Sequence, residues 1–305
     1  MTTGEATVKG TEISLWHEIV VLFKLRIVVL LVFAAAAGAF LAAGGQPRLS
    51  ALGVVLVTGT LSAAGASALN EYIERDRDAL MARTRRRPLV TGSLGAHPYW
   101  VPWLGVALIA APVLAVLPTN PALALALAAG AFIYVVVYTL WLKPRSVLNI
   151  VIGGAAGSCA VLSGSAAAGA WASPGALALA LLVFLWTPIH FWALALVYRE
   201  DYARVGVPML PVQVTARVAA AWGLVHGLGA AATGIALIFL RPALGPVYIV
   251  PAGAVALALV LEGAQLVRTP TKRAAWHLFH TSNLFLFVVL LAICLGGMVH
   301  LSWPF

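Results

Sequence analysis

The chain has 305 residues, of which 62% are hydrophobic and only 10% charged, and its mean hydropathy is +0.98. A soluble domain carries about 25% charged residues and lacks the surface to hide such an apolar excess, so a soluble enzyme and a disordered chain are excluded. So is a disulfide scaffold, because the two cysteines, Cys159 and Cys294, both lie in apolar runs. The formal charge of +9 would suggest nucleic acid on a soluble protein; here it reports membrane orientation, and no nucleic-acid partner is expected.

Residues 1–25 read as a cytoplasmic amino-terminal segment. They carry Glu5, Glu12 and Glu18, and no short apolar core with a small-residue cleavage site, so no cleavable signal is expected. Residues 26–305 read as a single polytopic domain with nine apolar runs, at about 26–44, 51–70, 99–117, 121–141, 149–170, 175–197, 218–240, 247–267 and 278–300. The runs are continuous rather than alternating, which excludes a strand barrel. The expected fold is an all-α membrane protein, with about nine transmembrane helices around a central cavity opening to the cytoplasm.

Of the 19 Lys and Arg residues, all but Arg48 and Arg241 then fall on one side of the membrane. This asymmetry places the amino terminus in the cytoplasm and the carboxyl terminus outside, in a multi-pass inner (plasma) membrane protein. The tryptophans Trp100, Trp103, Trp141, Trp171, Trp276 and Trp303 fall near span ends, where an aromatic belt is expected. Outer connections are short. The inner ones after the second and sixth spans are long and charged, and such loops are where function is expected.

The first of these loops begins inside a helix. If the second span continues as helix, Asn70, Glu74 and Asp78 lie at i, i+4 and i+8 and form one oxygen-bearing stripe, drifting about 40° per step. Arg77 returns close to the Asn70 direction. A solvated loop with internally paired charges is one reading. Against it stand the membrane-boundary position of Asn70 and the arginines that follow, Arg83 and Arg87 among them. Magnesium prefers one or two carboxylates plus substrate phosphates, and Arg binds phosphate bidentately. The stripe therefore reads as a magnesium–diphosphate site at the cytoplasmic mouth.

Tyr138 and Lys143 close the fourth span; Lys143 with Arg145 serves either as a phosphate clamp or as positive-inside anchoring. Asn149 then opens the fifth span, where Gly153, Gly154 and Gly157 allow close helix approach. The sixth span ends in Trp186-Thr187-Pro188-Ile189-His190, and the loop beyond it carries Tyr198, Glu200, Asp201, Tyr202 and Arg204. Glu200 and Asp201 form the other carboxylate pair available to a metal, and the two acidic clusters are expected to face each other across the cavity. His190 lies about three turns deeper than Asp201. Its roles are a neutral imidazole bonded to a freed backbone carbonyl, an axial contact to a metalloporphyrin, or a proton acceptor near the reacting carbon. His277 and His280 read as interfacial.

The run Asn70-x-x-x-Glu74-Arg75-Asp76-x-Asp78-x-x-Met81-x-Arg83-Thr84-x-x-Arg87-Pro88-Leu89 resembles the first aspartate-rich motif of the UbiA-type intramembrane prenyltransferases, and in particular their haem O synthase branch. The resemblance continues in Tyr138-Thr139-x-x-Leu142-Lys143, in Asn149 to Gly157, in Trp186-Thr187-Pro188-x-His190-Phe191-Trp192, and in Glu200-Asp201-Tyr202-x-Arg204 through Pro211. It departs in Glu74, where Asp is commoner, and in lacking a spaced second aspartate pair. Ser158 to Ser163 also stand where a proline-containing stretch is expected.

The resemblance implies farnesyl diphosphate and haem b as substrates and haem O as product, with a haem A synthase or terminal oxidase receiving it. It implies Mg2+ on Asn70, Glu74 and Asp78, helped by Glu200 or Asp201. Arg77, Arg83, Arg87, Lys143 and Arg204 would hold the diphosphate, and the rings of Tyr72, Tyr138 or Tyr202 would face the allylic cation. Asn70, Asp78, His190 and Asp201 would be the catalytic groups. The rival readings are a prenyltransferase acting on a quinone precursor or other aromatic acceptor, and a haem-handling membrane transporter.

Overall fold

The computed structural model describes residues 15–95 and 97–299, and every regular element in them is helical. In chain order these are α1 (Leu15–Leu22), α2 (Leu25–Ala42), α3 (Leu49–Asp78), α4 (Pro88–Thr91), α5 (Trp100–Val116), α6 (Pro121–Phe132) and a π-helical continuation, Ile133–Leu142. Then follow α7 (Asn149–Gly153), α8 (Ala155–Ala167), α9 (Pro174–Val197), α10 (Arg199–Arg204), α11 (Leu210–Gln213), α12 (Ala216–Leu240), a 3-10 helix (Pro242–Leu244), α13 (Gly245–Arg268) and α14 (Lys272–Val299). Eight helical stretches among the described residues are long and apolar enough to cross a membrane. The third of the nine expected spans, Trp100–Val116, is apolar but shorter, at 17 residues. Trp100, Trp103, Trp141 and Trp171 are exposed, as a belt requires, and Trp303 lies outside the described residues.

Helix starts follow from local chemistry. Asn120, Ser173 and Thr215 cap α6, α9 and α12, their side-chain oxygens accepting from Leu123 N (3.0 Å), Ala176 N (3.3 Å) and Val218 N (3.3 Å). Pro121 and Pro174 stand at the first helical position, where the missing N–H is no loss. Asn120 also donates through Nδ2 to the Ala166 carbonyl at 2.8 Å, tying the start of α6 to the end of α8.

Helix α3 has 30 residues, about 45 Å at the usual rise, against a hydrocarbon core of about 30 Å. Its last turns therefore carry Asn70 to Asp78 toward one end of the bundle without interrupting the helix. The carboxyl ends of α3, the π-helix and α9 gather at this end, together with the starts of α7, α12 and α14.

Two features depart from the expected plain spans. The fourth ends as a π-helix, in which Lys143 N donates to Tyr138 O at 2.8 Å, five residues back. The fifth is broken at Gly154 into α7 and α8. A Cβ on Gly153 would stand 2.7 Å from the Tyr138 ring, so only glycine lets α7 lie against the π-helix.

Helices α2, α3, α5, α6 and α8 pack among themselves, as do α9, α12, α13 and α14; α8 and α2 join the two groups through α9 and α14. The α2–α8 crossing is backbone to backbone, because a Cβ on Gly38 would run into the Val161 carbonyl and one on Gly164 into the Ala35 carbonyl.

Candidate active site

The oxygen stripe of α3 faces inward. Asn70, Glu74 and Asp78 expose 2%, 4% and 4% of their surface, which excludes the solvated-loop reading. Asn70 Nδ2 donates to Glu74 Oε2 at 3.0 Å and to Thr139 Oγ1 at 2.9 Å, and Thr139 Oγ1 donates to the Tyr134 carbonyl at 2.8 Å. The π-helix makes this possible: residues five apart stack along it, so Tyr134 meets Thr139 and Tyr138 meets Lys143. Lys143 Nζ lies 2.5 and 2.6 Å from the two Glu74 oxygens and 5.5 Å from the centre of the Tyr138 ring.

Asp78 is held by the loop it launches. Arg87 Nη1 lies 2.5 Å from Asp78 Oδ2, and Thr84 Oγ1 donates to the Asp78 carbonyl at 3.0 Å. Burial alone would lower the Arg87 pKa, but Asp78 and Glu71 overcome it and raise the value, so this guanidinium keeps its charge. Glu71, fully buried, places a further carboxylate near both Arg87 and Lys24.

Lys24, which sequence reasoning treated only as an inside charge, reaches the same site. It sits between α1 and α2 in the left-handed conformation (φ 49°), unusual for a side chain larger than glycine. The turn sends its ammonium inward to Asn70 Oδ1 and, at 3.3 Å, to the Tyr134 hydroxyl. Both partners are neutral, and burial holds its pKa down, to about 7.

The second acidic cluster reaches the same mouth through one residue of its pair. Asp201 is buried, accepts from Arg204 Nη1 at 2.9 Å, and keeps Oδ2 without a hydrogen-bond partner among the described residues. Arg204 also donates to the Leu80 carbonyl at 3.3 Å, which joins the loop after α9 to the loop after α3. Met81, Tyr138 and Tyr202 share one buried cluster beneath this junction.

Other expected site residues stand apart from this cluster. Glu200, adjacent to Asp201 on α10, points about 100° away from it; its side chain is 78% exposed and pairs with Lys272 at 3.1 Å, outside the buried donor set. Glu200→Gln should therefore leave activity and melting temperature essentially unchanged, as expected for an exposed pair. Tyr72 lies two residues from Asn70 and so faces away from the stripe; it packs with Leu22, Leu89 and Val101, with Arg75 4.5 Å above its ring. Arg77 makes no ion pair among the described residues. Arg83 is exposed and lies 5.7 Å from the centre of the Tyr198 ring, at the rim.

His190 occupies an aromatic wall built by α9 and α14. Trp186 and Phe279 stack against it, and the wall continues through Trp276 to Tyr198, the ring under Arg83. Trp276 and His280 also stack on each other. The wall thus runs from within the bundle to the rim of the charged mouth.

Among the described residues no three His, Cys, Asp or Glu side chains converge closely enough to hold a metal by themselves. The donor set still suits a hard cation completed by substrate: amide and carboxylate oxygens on one helix face, and the unpartnered Asp201 oxygen on the facing loop. It does not suit a zinc or transition-metal cage.

Fold and site together define a multi-pass helical membrane protein with a buried, charge-dense site at one end of the bundle. The model of the UbiA prenyltransferase family matches residues 30–291, and the chain belongs to this family. It is 42% identical over 274 residues to "Protoheme IX farnesyltransferase 2" of Paramagnetospirillum magneticum, covering 89% of this chain and 93% of that one. It is 40% identical over 278 residues to "Protoheme IX farnesyltransferase" of Metallosphaera sedula, covering 91% and 95%. The fold is shared with a UbiA homologue from Archaeoglobus fulgidus bound to DMAPP and Mg2+ (TM-score 0.66, 17% identity, 90% of this chain and 99% of that one). It is also shared with a digeranylgeranylglyceryl phosphate synthase structure (TM-score 0.76, 15% identity, 93% and 98%).

Proposed function

We propose that this prenyltransferase moves the farnesyl group of farnesyl diphosphate to a vinyl group of haem b, with addition of water, to give haem O and diphosphate. One observation carries the reading beside the names of the relatives: a buried anion-handling stripe and an aromatic wall holding a histidine open onto the same end of one bundle.

Charge arithmetic supports the first half. Lys143 and Arg87 are already matched by Glu74 and Asp78 in buried ion pairs before any substrate enters. A diphosphate brings negative charge that this set does not offset. Asn70, Glu74, Asp78 and Asp201 would hold Mg2+, which when bound supplies neutralisation of the leaving diphosphate. Lys143 and Arg87, relieved of their carboxylates, and Lys24, released from Asn70, turn to the phosphate oxygens, and Arg204 with Arg83 closes the rim.

Breaking the carbon–oxygen bond sends its electron pair to the diphosphate and leaves an allylic cation. Tyr138, stacked on Tyr134, and the buried Tyr202 offer it ring faces. The surrounding apolar side chains keep water away until the vinyl carbon has attacked. Water then adds to the porphyrin-side cation, with its proton passing to the diphosphate or to bulk. The charged mouth and the amino-terminal segment face the cytoplasm of the inner membrane, the carboxyl end lies outside, and a haem A synthase or terminal oxidase receives the product.

The test is incubation of the purified full chain in lipid nanodiscs with farnesyl diphosphate, haem b and Mg2+, followed by haem extraction and mass analysis. The expected result is conversion of haem b to its hydroxyethyl-farnesyl derivative with release of diphosphate. EDTA should abolish conversion, and added Mg2+ should restore it. Unmodified haem alongside prenylation of a supplied quinone precursor would overturn the acceptor assignment.

A further inference from the structure

The His190 ring is held from three directions. Trp186 stacks on one face, with centroids 4.4 Å apart and planes 19° apart, and Phe279 of α14 stacks on the other at 4.7 Å and 28°. The third contact is Ser282 of α14, whose Oγ lies 2.9 Å from His190 Nδ1 and 2.7 Å from the Phe279 carbonyl. A carbonyl only accepts, and a serine hydroxyl has one proton to give. With that proton directed at the Phe279 carbonyl, the hydroxyl oxygen is free to accept from His190 Nδ1–H. Trp186 Nε1 donates to the Ser282 carbonyl at 2.7 Å and pins the same turn of α14 against α9. Ser282 is fully buried, which leaves no room for water to take over its hydroxyl's role.

In that tautomer Nε2 is unprotonated, and no hydrogen bond among the described residues uses that nitrogen. We propose that Ser282 is a positioning residue for the acceptor substrate: it fixes the Nδ1–H tautomer, so that His190 presents the Nε2 lone pair to the iron of a metalloporphyrin. The inference rests on the reading of α9 and α14 as the acceptor wall. Neutral imidazole is the metal-binding form. A hydrogen bond from the other ring nitrogen sets both orientation and ligand strength, and losing such a partner typically weakens metal binding about 10- to 100-fold. The stacked rings prevent the imidazole from turning to recover the geometry by itself.

Ser282→Thr and Ser282→Val test this as a pair, because the two side chains share a shape and differ in the hydroxyl. The purified full chain is titrated with ferric haem b in the absence of farnesyl diphosphate, reading the Soret band and the electron paramagnetic resonance of the iron. The wild type and the Thr variant should show imidazole-ligated iron. The Val variant should bind haem at least tenfold more weakly and lose that signature, while farnesyl diphosphate binding with Mg2+ stays equal in Thr and Val. Equal haem affinity and equal spectra for Thr and Val would overturn the assignment of Ser282. Wild-type haem binding and spectrum in His190→Ala would overturn the acceptor wall as well, whereas their loss in His190→Ala beside an unaffected Val variant would overturn Ser282 alone.

Discussion

Asp78→Asn should reduce prenyl transfer by about 10²- to 10³-fold, the usual scale for losing a preorganised charge at a site of developing negative charge. The same change leaves Arg87 buried without its 2.5 Å partner, and breaking a buried pair destabilises by about 3–5 kcal/mol. Glu71 stands near Arg87 and softens that loss. The double variant Asp78→Asn/Arg87→Gln separates the two effects: the melting temperature should recover while product formation, read by mass analysis of extracted haem, should not. Wild-type turnover in a well-folded Asp78→Asn protein would remove this carboxylate from the reaction.

Lys24→Met should weaken farnesyl diphosphate binding in the presence of Mg2+ by roughly thirtyfold, or about 2 kcal/mol, the low end for truncating one member of a buried charged contact. The melting temperature should hold or rise, because the variant relieves an ammonium that burial already holds down to about 7. Affinity and stability moving in opposite directions is the signature of a binding residue rather than a structural one. Equilibrium binding of the diphosphate to the detergent-solubilised chain decides it, and unchanged affinity would end the assignment.

The stripe Asn70, Glu74, Asp78 was legible because helix periodicity is a local property: residues four apart share a face wherever the helix sits. Span positions were legible for the same reason, since apolar length is counted along the chain. The partners of the stripe were not. Lys24 looked like one more inside charge until the left-handed turn before α2 aimed it at Asn70. Lys143 reads from sequence either as a clamp or as an anchor, and the π-helix that places it on Glu74 carries no recognisable sequence signal. Glu200 and Asp201 are neighbours in sequence, and only the docking of α10 against Leu80 decides which one is buried.

Composition, span length and charge asymmetry thus determined, from sequence alone, that this chain is a helical membrane protein with an acidic stripe at one end of its second long helix. Which cations neutralise that stripe, which of two adjacent acids is buried beside it, and that a serine 92 residues away lies against His190 Nδ1 were decided by tertiary structure. The reason is physical: burial and side-chain direction within one helix repeat with the backbone, whereas contacts between helices depend on crossing angles and turns set by packing across the whole bundle.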